Sequence, residues 1–288
     1  MCLFQHGYQK LVKSLYLALE EEAMRIKRGL KIWAILTIMI LVPSCAINLY
    51  SVKDEKVLGK YYAKEVEKEK KILHITALEQ YVNHIGQKLV QNVGETPYAY
   101  SFKVIDEDEI NAFALPAGYI FVYRGLLENI DTEAQLAGVL AHEIGHVEAR
   151  HSTERISAMQ GTSFLTNLGA IILGAPALAR PAIELAQILG FLKYSRVQER
   201  EADLKGVEYM TRAGYEPRAM VDFLKKLQEI HEKRPGLISR VFMSHPLTEE
   251  RIKTLNRWIE DHASMIETKD CKLTGPKFAI MSELVTKE

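Results

Sequence analysis

His142-Glu143-Ile144-Gly145-His146 sets two imidazoles four residues apart around a carboxylate. On a helix, positions i and i+4 stand about one turn apart on one face, so the pair can share a tetrahedral zinc while Glu143, offset by one residue, points toward the coordination position left open. Five residues thus supply two metal ligands and a base. The stretch ahead of them, Leu136-Ala137-Gly138-Val139-Leu140-Ala141, is apolar and small. The helix is therefore expected to be buried, where its polar side chains need partners.

A catalytic zinc takes a third protein ligand and keeps a fourth position open. The candidate ligand is Glu199 in Glu199-Arg200-Glu201-Ala202-Asp203. If this run is helical, Glu199 and Asp203 share a face, so Glu199 can bind metal while Asp203 accepts a hydrogen bond from the outer nitrogen of a ligand His. Glu201 is expected to point elsewhere. The expected chemistry is hydrolysis of an amide by a zinc-activated water with Glu143 as general base, one zinc per chain and no covalent intermediate. An adjacent Glu and an open position disfavour a purely structural zinc.

These residues need elements to hold them. Thr132 and Gln135 form a capping box that opens a helix running to about His151, with Asp131 as a competing cap. A second long helix is expected over about Ala186 to Arg212, ending before Gly214, and Pro217 starts another. Ile72 to Val93 carries the helical stripe Leu78, Tyr81, Val82, Ile85, Leu89 and Val90, which should pack on the core. Tyr98 to Ile105, Asn111 to Leu115 and Tyr119 to Tyr123 read as the strands of a small sheet. Residues 157–192 are rich in Ala, Gly, Ile and Leu and suggest buried helices or a lid.

Composition excludes other classes. With 288 residues, 48% hydrophobic and 26% charged, the chain is not disordered throughout. Lys plus Arg and Asp plus Glu both number 37, so no basic excess points to nucleic acid. Three cysteines, Cys2, Cys45 and Cys271, are too few for a disulfide framework or a thiolate zinc cluster.

Met24 to Lys31 is cationic, Ile32 to Val42 is uncharged and almost wholly apolar, and Pro43-Ser44-Cys45 follows, the layout of a cleavable export signal. Val42-Pro43-Ser44-Cys45 resembles a bacterial lipobox, whose Cys becomes a lipidated first residue, although Pro before the small residue departs from that pattern. The start is either Met1 or Met24. An uncleaved anchor over Ile32 to Tyr50 is the alternative, short of the about 20 residues a span needs. The expected division is a leader over 1–44, a charged, exposed spacer helix within 45–71, a zinc domain over 72–267 and a tail over 268–288.

The HExxH block extended to His151, the block Asn111-Ala112-Phe113-Ala114-Leu115-Pro116-Ala117-Gly118-Tyr119-Ile120-Phe121-Val122, and Ser195-Arg196 ahead of Glu199-Arg200-Glu201-Ala202-Asp203 occur in that order. Together they resemble the HtpX and CAAX-prenyl-protease group of zinc metallopeptidases, over roughly residues 51–262. The resemblance implies a mainly helical α+β, zincin-like metalloprotease domain with a small β-sheet and an HExxH active-site helix. It implies His142, His146 and Glu199 as zinc ligands, Glu143 as base and Asp203 as the group behind a ligand. Asn111, Ala112, Phe113 and Ala114 match an edge strand that holds an extended peptide.

A later block, Ser244-His245-Pro246-Leu247-Thr248-Glu249-Glu250-Arg251-Ile252, also looks like the family's. It implies His245 near the metal, as a gate in the fourth position or a donor to the oxyanion, and Arg251 as a substrate or transition-state contact. His151 and Arg150 are expected to support the fold or the metal ligands. The implied partners are unfolded or misfolded polypeptides and a membrane reached through an N-terminal lipid or anchor, in the cell envelope. The other reading is a zinc-gated, chaperone-like binding factor working with outer-membrane assembly machinery, with little turnover.

Overall fold

The computed structural model describes residues 48–159, 193–234, 244–268, 271–274, 278 and 283. The leader with Cys45, the apolar stretch from 160 to 192 and most of the tail lie outside the described residues. Among the described residues no helix is long and apolar enough to cross a membrane.

Three short strands form the sheet: β1 (Ser101–Ile105), β2 (Ala112–Leu115) and β3 (Tyr119–Tyr123). β3 lies in the middle, parallel to β1 with Ser101 opposite Tyr119, and antiparallel to β2 with Ala112 opposite Val122. The three-residue turn Pro116–Gly118 joins β2 to β3, with Ala117 at φ 62°. β2 is thus an edge strand.

Among the described residues the named helices are α1 (Val52–Glu69), α2 (Thr76–Val90), α3 (Arg124–Glu128), α4 (Glu133–Glu148), α5 (Arg196–Arg212), α6 (Arg218–Lys233), α7 (Glu249–Asp261) and α8 (Ala263–Thr268). Residues 151–159 are also helical. The stripe of α2 behaves as expected: Leu78, Tyr81, Val82, Ile85 and Leu89 are buried. Only Val90, at the end of the stripe, is partly exposed.

α1 departs from its expectation. Its apolar residues are few, but Tyr62, Ala63 and Val66 fall on one face and bury against Phe113, Leu115, Phe121 and Tyr123. Its buried Glu55 is compensated by Arg150 Nε, which donates at 2.9 Å, and by the hydroxyls of Tyr98 and Thr153. A half-turn of apolar contacts and one buried, fully partnered carboxylate dock a helix that composition alone reads as exposed.

Two boundaries also shift. α4 stops at Glu148 rather than His151, because Arg150 adopts φ 60° and breaks the helical path. α5 begins at Arg196 rather than about Ala186, because Ser195 and Gln198 close a reciprocal capping box: Ser195 Oγ accepts from Gln198 N at 3.3 Å, and Gln198 Oε1 accepts from Ser195 N at 3.0 Å. At the start of α4, Thr132 Oγ1 accepts from Gln135 N at 3.2 Å, while Gln135 Oε1 accepts from Asp131 N at 2.7 Å.

The decisive packing is α4 against α5. Gly145 faces α5 so closely that a Cβ there would stand 2.7 Å from the carbonyl oxygen of Ala202, and a Cβ on Gly206 would stand 3.0 Å from the amide nitrogen of His142. Each helix thus presents a glycine to the other's main chain, and backbone meets backbone. That approach brings the ligand candidates of the two helices within reach of one another.

Candidate metal centre and active site

α4 supplies His142, Glu143 and His146, α5 supplies Glu199 and Asp203, the segment entering α7 supplies His245, and the first turn of α7 supplies Arg251; all seven are buried. His142 Nε2 and His146 Nε2 are 3.1 Å apart, His146 Nε2 lies 3.3 Å from Glu199 Oε1, and His142 Nε2 lies 3.6 Å from Glu199 Oε2. His245 Nδ1 is 3.3 Å from His142 Nε2 and 2.9 Å from Glu199 Oε1. A tetrahedron with metal–ligand bonds of about 2.05 Å has edges of about 3.3 Å. The four side chains therefore offer donors at the spacing a zinc ion requires, and ligand atoms from all four fall within 4.8 Å of one another.

The surroundings suit a cation. Burial raises the pKa of Glu199, but His245 and Arg251 outweigh it and hold the carboxyl well below the usual range. Burial likewise acts on Asp203, and Arg251 again outweighs it, leaving the group lowered. Burial pushes His146 well below the ordinary histidine value, which favours the neutral, ligand-competent ring. For His245, burial is outweighed by the charges of Glu199 and Glu143, and its pKa is raised.

Asp203 stands behind His142, with Oδ1 2.9 Å from Nδ1. That contact is short but off the line of an aligned hydrogen bond. Arg251 clamps both acids: Nε and Nη2 donate to the two oxygens of Asp203 at 2.7 Å each, and Nη1 lies 2.7 Å from Glu199 Oε2. With three nitrogens engaged by carboxylates, Arg251 holds the ligand set. Arg251 also lines the cavity beside Glu143, so this clamp is compatible with the expected contact to substrate or transition state.

Glu143 Oε2 and His245 Nε2 are buried and make no hydrogen bond within the described protein; His245 Nε2 is 3.7 Å from Glu143 Oε1. Both side chains line a cavity open to solvent whose other walls are mostly apolar, with Met220, Phe223, Leu224 and Leu227 of α6 and with Ile110 and Leu126. Asn111 and Ala112 also line it. Tyr123 N donates to Asn111 O at 3.0 Å, so in the antiparallel register Asn111 and Phe113 turn their main-chain groups to β3 while Ala112 and Ala114 turn theirs outward. Ser152 Oγ donates to the Ala114 carbonyl at 3.1 Å.

Three contributors were not singled out from sequence. Tyr194 stacks on His146, ring centroids 3.8 Å apart, one residue before the cap of α5. The apolar face of α6 forms the cavity wall. Glu201 points away from the donor set, as expected, and its Oε2 lies 3.5 Å from Nε2 of His151. The capping box at Ser195 was the available signal for Tyr194, since it fixes where the chain enters α5.

Comparison with known proteins agrees with this geometry. The family described as Peptidase family M48 matches residues 76–259. The β-barrel assembly-enhancing protease of Escherichia coli is 33% identical over 212 residues, 70% of this chain and 43% of that protein. The mitochondrial metalloendopeptidase OMA1 of Schizosaccharomyces pombe is 31% identical over 199 residues, 69% of this chain and 57% of that protein. The Bos taurus protein of the same name is 31% identical over 225 residues, 73% of this chain and 42% of that protein. The chain thus spans about half the length of these relatives.

Proposed function

The chain belongs to peptidase family M48, and on that premise we propose that it is a zinc-dependent endopeptidase that hydrolyses peptide bonds in unfolded or misassembled cell-envelope proteins. The observation that carries the proposal is the convergence of His142, His146 and Glu199 beside Glu143 at the wall of an apolar cavity. Zinc, when bound by those three ligands, supplies polarisation of the scissile carbonyl and a more acidic water. Glu143 would act as the general base, taking the proton of the attacking water and delivering it to the departing nitrogen. His245 would donate to the developing oxyanion, a role worth about 3–4 kcal/mol per donor.

A substrate strand would pair with the outward main-chain groups of Ala112 beside the cavity, a mode that reads backbone rather than sequence. Side-chain selection then falls to the cavity, whose apolar walls fit a large apolar residue. Such residues are buried in folded proteins, so the site favours chains that expose them. The E. coli relative is named for β-barrel assembly, which supports extending the envelope setting to this chain. In that setting, acylation of Cys45 would hold the domain at a membrane, and mass spectrometry of the extracted protein should find a diacyl or triacyl terminus. An intact Met24 to Ser44 segment would defeat that arrangement.

A second reading is a zinc-gated binding factor for outer-membrane protein assembly, favoured by the place of His245 Nδ1 within the donor set. Metal analysis and casein digestion with wild type and Glu143→Gln separate the two. Peptidase function predicts about one zinc per chain in both proteins and chelator-sensitive digestion in wild type alone. Zinc without digestion in either protein favours the binding factor, and equal digestion by both removes Glu143 from the reaction.

A further inference from the structure

His146 has a partner behind it that differs in kind from the carboxylate behind His142. Its Nε2 faces Glu199 and His142, and its Nδ1 lies 2.9 Å from Nδ1 of His151. Both rings are buried, His146 at 0% exposure and His151 at 2%, so solvent does not substitute for either nitrogen. Two nitrogens at that distance need one proton between them. An imidazole that ligates through Nε2 carries its proton on Nδ1. The shared proton therefore belongs to His146, and His151 accepts it with the lone pair of its own Nδ1. His151 then bears its proton on Nε2, which faces Glu201 Oε2 at 3.5 Å.

The fold goes out of its way to make this contact. On an uninterrupted helix a residue five positions on is turned about 140° from its starting point, away from the ligand face. Arg150 at φ 60° re-aims the chain, and His151 swings back over His146. Arg150 is itself fixed, through Nε to buried Glu55 at 2.9 Å and through Nη2 to the carbonyl of Tyr50. A positive φ costs a residue with a side chain, and here it places a specific imidazole.

We propose that Glu201, His151 and His146 form a relay in which His151 is the positioning residue for the ligand His146: it fixes that ring's tautomer and orientation as a neutral acceptor, with Glu201 orienting His151 in turn. The inference rests on the zinc reading above. It adds His151 and Glu201 to the groups on which metal affinity depends, one of them from the residue the α5 pattern set aside.

The test measures zinc affinity by chelator competition, and the visible spectrum of the cobalt-substituted protein, for the full chain and for His151→Leu, His151→Asn and Glu201→Gln. His151→Leu should lose about 10- to 100-fold in zinc affinity with an altered cobalt spectrum. His151→Asn should recover most of it, because its side-chain oxygen can accept where Nδ1 did. Glu201→Gln should lose less than His151→Leu. Thermal unfolding with excess chelator reports folding apart from metal: lower melting of the leucine variant at unchanged zinc affinity would overturn the relay, as would an asparagine variant no better than leucine. A wild-type protein that binds no zinc would remove the zinc reading and this inference with it.

Discussion

Gly145→Ala would put a methyl group 2.7 Å from the carbonyl oxygen of Ala202 and 3.1 Å from its Cα. Ordinary contact is about 3.5 Å, so α5 must retreat by roughly 0.8 Å, and the obstacle is main chain that cannot rotate aside. Overpacking of this kind costs about 1–3 kcal/mol, while alanine's better helix propensity returns about 1 kcal/mol. The net loss is therefore about 0–2 kcal/mol, and the protein should fold. The metal site is less forgiving. Glu199 stands on α5 three residues before Ala202, and ligand distances tolerate only about ±0.2 Å. Zinc affinity should fall by at least about tenfold, the lower end of what disturbing ligand support costs. Chelator competition gives the affinity and thermal melts under chelator give the fold. Gly206→Ala, whose Cβ would meet His142 N at 3.0 Å, should lose less. Wild-type zinc affinity in Gly145→Ala would refute the view that this close approach sets the ligand geometry.

The remaining expectations concern charge and the cavity. Arg251→Met leaves Glu199 and Asp203 buried without their shared cation, and the metal-free protein should lose about 3–5 kcal/mol in denaturant unfolding. Because both acids have lowered pKa values in the folded state, their stabilisation is complete above the ordinary carboxylate value of about 4 and is lost as pH falls through the lowered values. Acid titration of metal-free wild type should show that decline, and Arg251→Met should show a flatter one. Leu224→Asn places an amide in the cavity wall; digestion of peptide libraries should show reduced preference for large apolar residues, with unchanged zinc content.

What the sequence disclosed follows from periodicity. The pentad at His142 and the run at Glu199 each read as one helix face because i and i+4 spacing is local, and the strands read from alternation over a few residues. What it withheld depends on contacts between distant segments. The burial of α1 rests on Tyr62 and Val66 meeting Phe113 and Phe121, and on Glu55 meeting Arg150. The left-handed Arg150 has no local signature such as glycine, so the turn that redirects His151 toward Glu201 is invisible in the string. The clamp of Arg251 on Asp203 and Glu199 joins groups 48 and 52 positions apart, which no local pattern in the string reveals.

The central claim is that His142, His146 and Glu199 hold one metal ion between α4 and α5. Crystals of the zinc-loaded chain, with diffraction recorded across the zinc absorption edge, should give one anomalous peak per chain about 2.0–2.2 Å from His142 Nε2, His146 Nε2 and a carboxylate oxygen of Glu199. A peak bound without Glu199, or none between α4 and α5 in zinc-loaded crystals, would contradict it.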